Sequence, residues 1–231
     1  MRNVIVTDVE RAPIEKVDKL AGYGVATVHE ALGRTGFLGP HLRPVHLGAR
    51  VGGTAVTVLS WPGDNLMIHA AIEQCRPGDI LVVTTTSPST DGMFGELFAT
   101  ALQQRGVRGL VTEAGVRDVV DLHAMGFPVW SAAVSAQGTV KATAGAVNVP
   151  ITVGGQQIRP GDAILADDDG VLVVPRNDID LALDKSQART EKEEASRQAF
   201  REGELGLDRY GLRAKLADLG VEYVTAEQYG L

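Results

Sequence analysis

Residues 107–126 read Val-Arg-Gly-Leu-Val-Thr-Glu-Ala-Gly-Val-Arg-Asp-Val-Val-Asp-Leu-His-Ala-Met-Gly. Val107 to Glu113 has the aliphatic content of a strand, Gly115 punctuates it, and Arg117 to Met125 carries a helical pattern. A strand that turns through glycine into a helix is the unit from which parallel sheets are built.

The same alternation extends in both directions. Residues 14–22 and 26–33 read as short helices, the second with Thr27 as its cap. Arg50 to Leu59 reads as a strand ending at Trp61-Pro62-Gly63, and Asp64 caps a helix reaching Gln74. Ile80 to Thr85 is a buried strand, Gly95 to Arg105 a helix and Pro128 to Val134 a strand. Beyond residue 135 the texture becomes that of hairpins. Gly138 to Gly145 and Val147 to Val153 are short strand candidates, Gly154-Gly155 is a hairpin turn, and Arg159-Pro-Gly-Asp162 turns into Ala163 to Ala166. Asp167-Asp-Asp-Gly170 is turn chemistry leading into Val171 to Val174, rather than a metal site. Ile179 to about Arg201 is a charged helix, followed by a tail in which Leu205, Leu207, Tyr210, Leu212, Leu216, Leu219 and Tyr223 are available to dock. The expectation is an α/β domain over residues 1–178 and a C-terminal helical arm over residues 179–231.

Composition limits what this chain can do. Its 231 residues suffice for one large core. A formal charge of -7, with no long Lys/Arg run, speaks against nucleic-acid binding. The apolar runs Ile80 to Val83 and Val171 to Val174 are strand-sized, so no membrane span is expected. The opening Met-Arg-Asn-Val-Ile-Val lacks the pattern of a signal peptide, and a cytoplasmic protein is expected. Cys75 is the one cysteine, which excludes a disulfide framework or a Cys-rich zinc site, and it reads as a small hydrophobe at a helix end. His29, His41, His46, His69 and His123 have no metal-ligand spacing. Phosphate-loop, nucleophile-elbow and His-Glu-x-x-His motifs are missing, and no glycine-rich methyl-donor motif follows a first strand.

The chemistry concentrates at the carboxyl end of the 107–113 strand, where ligands gather in open α/β sheets. Arg117 brings a planar fork suited to a carboxylate. Asp118 offers a hard oxygen for a divalent cation, and Asp121 shares its helix face. The other reading of these residues is an acidic first turn favoured by the helix dipole, with an incidental ion pair. A polar loop, Thr84 to Phe94, leads into the helix at Gly95-Glu96-Leu97-Phe98, whose first amides would form an anion site. Together these make a pocket for a metal ion and a small keto acid.

Gly95 followed by Arg117-Asp118-x-x-Asp121-x-x-x-x-Gly126 resembles the signature of the class II pyruvate aldolases of the RraA-like family, which cleave 4-hydroxy-4-methyl-2-oxoglutarate and 4-carboxy-4-hydroxy-2-oxoadipate. The resemblance extends to Pro62-Gly-Asp-Asn65, Pro77-Gly-Asp79, the stretch Ala166 to Pro175, and Gly203-Glu-Leu-Gly-Leu-Asp-Arg-Tyr210. It implies a β/β/α swivelling-type sandwich assembled as a homotrimer or homohexamer, with the arm packing on a neighbouring subunit. It also implies a retro-aldol reaction in aromatic-acid catabolism with Mg²⁺ or Mn²⁺ as cofactor. Asp118 would hold the metal, Arg117 would stabilise the enolate oxygen, and the amides of Gly95, Glu96, Leu97 and Phe98 would grip the pyruvyl carboxylate. A metal-associated water would be the base. One arm glutamate, Glu193 before Glu194 or Glu191, would complete the metal's outer shell from a neighbouring subunit. The products would be pyruvate plus a second keto acid, with oxaloacetate decarboxylation as a side activity. Glu193 has a plain alternative: Arg189, Glu193 and Arg197 are spaced for a solvated ion-pair ladder.

Two other functions compete. One is a regulator that binds a ribonuclease without turnover, as RraA does. The other is a Schiff-base aldolase using Lys141, the lysine in a strand-like context.

Overall fold

The computed structural model describes residues 2–231. In chain order the elements are β1 (Val4–Ile5), α1 (Ile14–Ala21), α2 (Val25–Ala31), β2 (Arg43–Pro44), β3 (Val51–Ser60), α3 (Leu66–Gln74) and β4 (Asp79–Thr85). Next come β5 (Gly92–Phe94), α4 (Glu96–Gln104), β6 (Gly109–Val116), α5 (Val119–Ala124), β7 (Val129–Val134) and β8 (Ala146–Val147). After these follow β9 (Ile151–Val153), β10 (Gln156–Ile158), β11 (Ala163–Asp167), β12 (Gly170–Val174), α6 (Ile179–Arg201), α7 (Gly206–Arg209), α8 (Leu212–Asp218) and α9 (Ala226–Tyr229).

The main sheet runs β1-β8-β3-β4-β6-β7-β2. Its centre, β3-β4-β6-β7, is parallel, while β2, β8 and β11 join antiparallel. This is the mixed α/β architecture expected from the alternation of elements. Strand β4 shows why its residues make a central strand. Leu81 and Val83 face one core with α3 and α4, and Ile80 and Val82 face a second core with Trp130 and the β9–β10 hairpin. A third core joins α1, α2, β11, β12 and the start of α6. Helix α1 follows Pro13 and buries Val17, Leu20 and Ala21, an i, i+3, i+4 stripe.

Four local expectations are corrected. Thr27 lies inside α2, and the amide that opens this helix, Val25 N–H, donates to Asp167 Oδ2 at 2.9 Å from the distant β11–β12 turn. Asp167 Oδ1 also accepts from Asp169 N at 3.0 Å, and Asp168 Oδ1 from Gly48 N at 2.9 Å, so the aspartate triplet does perform turn chemistry. Residues 138–145 form no strand, and Lys141 sits in an exposed irregular segment. That segment is pinned through a bridge at Val140 and through Asp64, whose Oδ2 accepts from Ala142 N at 2.9 Å and Thr143 N at 2.6 Å. Finally, β6 does not stop at Glu113. It runs to Val116 because β5, hidden in what reads as a polar loop, pairs with Gly115 and Val116.

Two compact units divide the chain, up to Gln187 and from Ala188 to Leu231. Helix α6 begins in the first unit, where Ile179, Ala182 and Ser186 are buried. Among the described residues, none from Ala188 onward is buried, and Leu205, Tyr210, Leu219, Tyr223 and Tyr229 are exposed. No helix among the described residues is long and apolar enough to cross a membrane.

Candidate active site

Strand β6 delivers Arg117 and Asp118 beyond its last paired residue, and Arg117 N–H donates to Phe94 O at 2.9 Å. Asp118 occupies the cap position of α5 with left-handed backbone angles, φ 57 and ψ 38. For a residue with a Cβ this is an uncommon conformation that aspartate tolerates better than most. It turns the carboxylate back toward α4, where Asp118 Oδ2 accepts the Glu96 amide at 3.1 Å. Arg117 Nε lies 3.7 Å from the same oxygen, and both side chains remain partly open to solvent. The helix dipole of α4 favours a carboxylate at this end.

Gly95 is what lets the two elements meet. Its backbone is extended, with φ -160, so conformational freedom is not the reason for glycine here. A Cβ at this position would overlap Asp118 Oδ2 and crowd Arg117 Cγ.

An open cleft of about 720 Å³ lies beside Asp118, lined by Glu96, Leu97, Asp118, Asp121, Ala124 and Met125; Arg117 does not line it and adjoins it through Asp118. Asp121 joins Asp118 in it, although Asp118 is the left-handed cap of α5 and not part of its helical face. Ala124 and Met125, three and four residues after Asp121, complete the wall; the helical spacing from Asp121 is the signal that would have found them. Thr100 Oγ1 donates to Glu96 Oε1 at 2.8 Å and orients that carboxylate. Leu97 is strongly exposed, whereas Phe98 is turned inward against Phe94 and His69. Of the amides named for carboxylate binding, that of Glu96 is engaged by Asp118, and that of Phe98 donates to Gly95 O at 3.1 Å.

Cys75, His46 and Asp64 are not among the residues that line this cleft. Glu193 pairs with Arg189 Nε at 2.7 Å, and Glu194 pairs with Arg197. Cys75 is buried, and burial together with the nearby Asp79 charge pushes its thiol up to about 12, so it is an inert core residue. His46 and His123 have rings 4.9 Å apart; burial first, then the neighbouring imidazole, lowers the pKa of His46. Asp64 is a structural anchor. Burial alone would raise its pKa, but amide hydrogen bonds from Leu66, Ala142 and Thr143 outweigh that and hold it below the ordinary carboxylate value.

The donor set can be tested against a divalent cation. Among the described residues, no cluster of three His, Cys, Asp or Glu side chains is arranged to hold a metal. Mg²⁺ does not need one: it keeps several waters and is commonly held by one or two carboxylates plus substrate oxygens. Asp118, with Asp121 and Glu96 in the same cleft, supplies the hard oxygens that a hydrated Mg²⁺ or Mn²⁺ accepts.

The fold places the chain in a class of proteins that the comparisons define. Residues 25–173 match the RraA-like family model, described as Aldolase/RraA, and the chain belongs to that family. A Halalkalibacterium halodurans protein named "Putative 4-hydroxy-4-methyl-2-oxoglutarate aldolase" is 28% identical over 200 residues, covering 87% of this chain and 95% of its own length. A Burkholderia multivorans protein of the same name is 36% identical over 143 residues, covering 62% of this chain and 87% of its own length. Among solved structures, Streptomyces coelicolor RraAS2, described as an unusual member of the RNase ES inhibitor RraA family, superposes with a TM-score of 0.73. It is 29% identical, and the match covers 82% of this chain and 99% of that one.

Proposed function

We propose that the chain is a divalent-metal-dependent pyruvate aldolase that cleaves 4-hydroxy-4-methyl-2-oxoglutarate to two pyruvates and 4-carboxy-4-hydroxy-2-oxoadipate to pyruvate and oxaloacetate. The observation that supports this reading is Asp118 in an open, acid-lined cleft with Arg117 Nε 3.7 Å from its Oδ2, beside the close approach at Gly95. The names of the two aldolase relatives favour the first of these substrates, 4-hydroxy-4-methyl-2-oxoglutarate.

In a retro-aldol step the C4 hydroxyl loses its proton, the C3–C4 bond breaks, and its electrons pass into the enolate of pyruvate. Arg117 would donate to the keto oxygen and stabilise the charge that develops there. Asp118, helped by Asp121, would hold Mg²⁺ or Mn²⁺. That ion would supply Lewis-acid polarisation of the keto oxygen. With the Glu96 amide donating to Asp118 and the Phe98 amide to Gly95 O, the amides of Gly95 and Leu97 would orient the pyruvyl carboxylate, and Leu97, Ala124 and Met125 give the cleft an apolar side. The pyruvate enolate is also the product of oxaloacetate decarboxylation, which is the expected side activity.

The arm from residue 179 packs on a neighbouring copy in a homotrimer or homohexamer and brings Glu193 toward that copy's cleft. The exposed apolar residues of the tail, uncovered within one chain, favour such a contact. Coupled pyruvate detection on both substrates, with and without EDTA, tests the proposal. Turnover that chelation abolishes supports it. Absence of turnover on both substrates with Mg²⁺ and Mn²⁺ present overturns it.

A second reading is favoured by the superposition with RraAS2: a regulator that binds a ribonuclease. It requires specific capture of a purified ribonuclease E-type enzyme and inhibition of its cleavage, both independent of Arg117.

A further inference from the structure

Glu113 falls outside the cleft, yet it sits where β6 changes neighbours. Up to Thr112, β6 pairs with β4, Val83 facing Thr112; from Gly115 it pairs with β5, Gly92 facing Gly115. On its other side the register with β7 shifts between Thr112 and Gly115. Such an irregularity bends a strand and re-aims the residues that follow. Here those residues are Arg117 and Asp118.

The Glu113 carboxylate holds this point from three directions. Thr84 Oγ1, at the diverging end of β4, donates to Oε2 at 2.5 Å. Gly154 N–H, in the β9–β10 turn, donates to Oε1 at 2.9 Å. His41 Nε2 stands 3.6 Å from Oε1. The turn is seated closely: Gly154 has φ 55, and a Cβ there would overlap the carbonyl of Leu38. Within the irregular stretch, Ala114 N–H is satisfied locally by Thr112 Oγ1 at 3.1 Å. Hydrogen bonds to an ionised carboxylate are among the stronger ones, and a one-residue slip in a strand moves every following side chain to the opposite face.

We propose that Glu113 is a positioning residue: its carboxylate fixes the irregularity in β6 and so sets the direction in which Arg117 and Asp118 reach the cleft. The proposal rests on the reading of Arg117 and Asp118 as the reactive pair. Glutamine at position 113 can keep two contacts, with Oε1 accepting from Gly154 and Nε2 donating to the Thr84 hydroxyl. Alanine keeps none.

The test compares Glu113→Ala, Glu113→Gln and Thr84→Val with wild type in the full-length chain. It reads kcat and KM for pyruvate release with Mg²⁺, and local hydrogen exchange. Glu113→Ala is expected to lower kcat about tenfold to a hundredfold with KM little changed, as misplacement of a reacting group does. Glu113→Gln should restore most of the rate. Exchange should quicken at the amides of Gly115 and Arg117, which donate to Asp91 and Phe94, and not across β3 and β4. If Glu113→Ala does not fold, Thr84→Val carries the test, with an intermediate loss of kcat and the same local quickening. Wild-type kcat in the alanine variant overturns the proposal, as does a glutamine variant as impaired as alanine. If wild type releases no pyruvate, the aldolase reading fails by itself. Local exchange then decides: quickening confined to Gly115 and Arg117 supports the brace, and unchanged exchange overturns it.

Discussion

The backbone of Gly95 and the carboxylate of Asp118 share a space that admits no side chain at position 95, and Asp118 Oδ2 fills it by accepting the Glu96 amide at 3.1 Å. The contact joins the start of α4 to the end of β6, the two elements that build the cleft. Gly95→Ala should therefore displace Asp118 and lower kcat/KM on the order of a hundredfold, the cost of moving a catalytic group by about an ångström. The melting temperature should move far less than the rate. Steady-state pyruvate release beside calorimetry checks this.

Asp118 combines a carboxylate with left-handed backbone angles, and its replacements separate the two. Asparagine tolerates this conformation, so Asp118→Asn should melt near wild type while losing activity. Alanine at the same angles carries about 1–2 kcal/mol of strain, so Asp118→Ala should be the less stable of two inactive variants. Parallel urea titrations measure the difference.

Asp79 anchors the opposite end of β4. It is fully buried and accepts from Arg11 Nε at 2.8 Å, Arg11 Nη2 at 2.9 Å and Arg76 N at 2.7 Å, with Thr54 Oγ1 as a further donor. Asp79→Ala removes the charge partner of the part-buried Arg11 guanidinium, which keeps only the carbonyls of Val9 and Gln74, and leaves the Arg76 amide without its acceptor, so it should cost about 3 kcal/mol. Asp79→Asn, which keeps acceptor capacity, should cost less. Chemical denaturation of both variants tests the order.

Asp64 gives the fold a predictable acid limb. Its folded pKa lies below its unfolded value, so its stabilisation is complete above the ordinary carboxylate pKa and is lost as pH falls through the depressed folded value. Wild-type stability should therefore fall as the pH drops below the ordinary carboxylate value of about 4, and Asp64→Asn should flatten part of that slope. The segment at residues 140–143 should loosen first, because Ala142 and Thr143 donate to this carboxylate. Denaturation midpoints across that range, with exchange at 140–143, provide the measurement.

Much of this structure is legible in the sequence because it follows from local pattern. The unbroken apolar run Ile80, Leu81, Val82 and Val83 marks a strand buried on both faces, and the Asp167–Gly170 turn speaks through its own residues. Other features depend on partners far along the chain. Gly115 reads as a turn by itself and becomes strand because β5 pairs with it on one side and β7 on the other. Residues 138–145 alternate like a strand, but Asp64 takes the amides of Ala142 and Thr143 that a neighbouring strand would need. The site divides the same way. Arg117, Asp118 and Asp121 are adjacent or one helical turn apart and can be read directly. Glu113 draws on partners 29 and 41 residues away, and no local pattern announces it.

The most direct measurement is kcat/KM for pyruvate release from 4-hydroxy-4-methyl-2-oxoglutarate with Mg²⁺, comparing wild type with Arg117→Ala. Loss of one preorganised donor to a developing oxyanion costs about 2.7–4 kcal/mol, so the expected result is a drop of about a hundredfold to a thousandfold in a protein that still melts normally. Turnover by Arg117→Ala within about twofold of wild type, a difference of less than about 0.5 kcal/mol, would contradict the assignment of the cleft as the place where the carbon–carbon bond breaks.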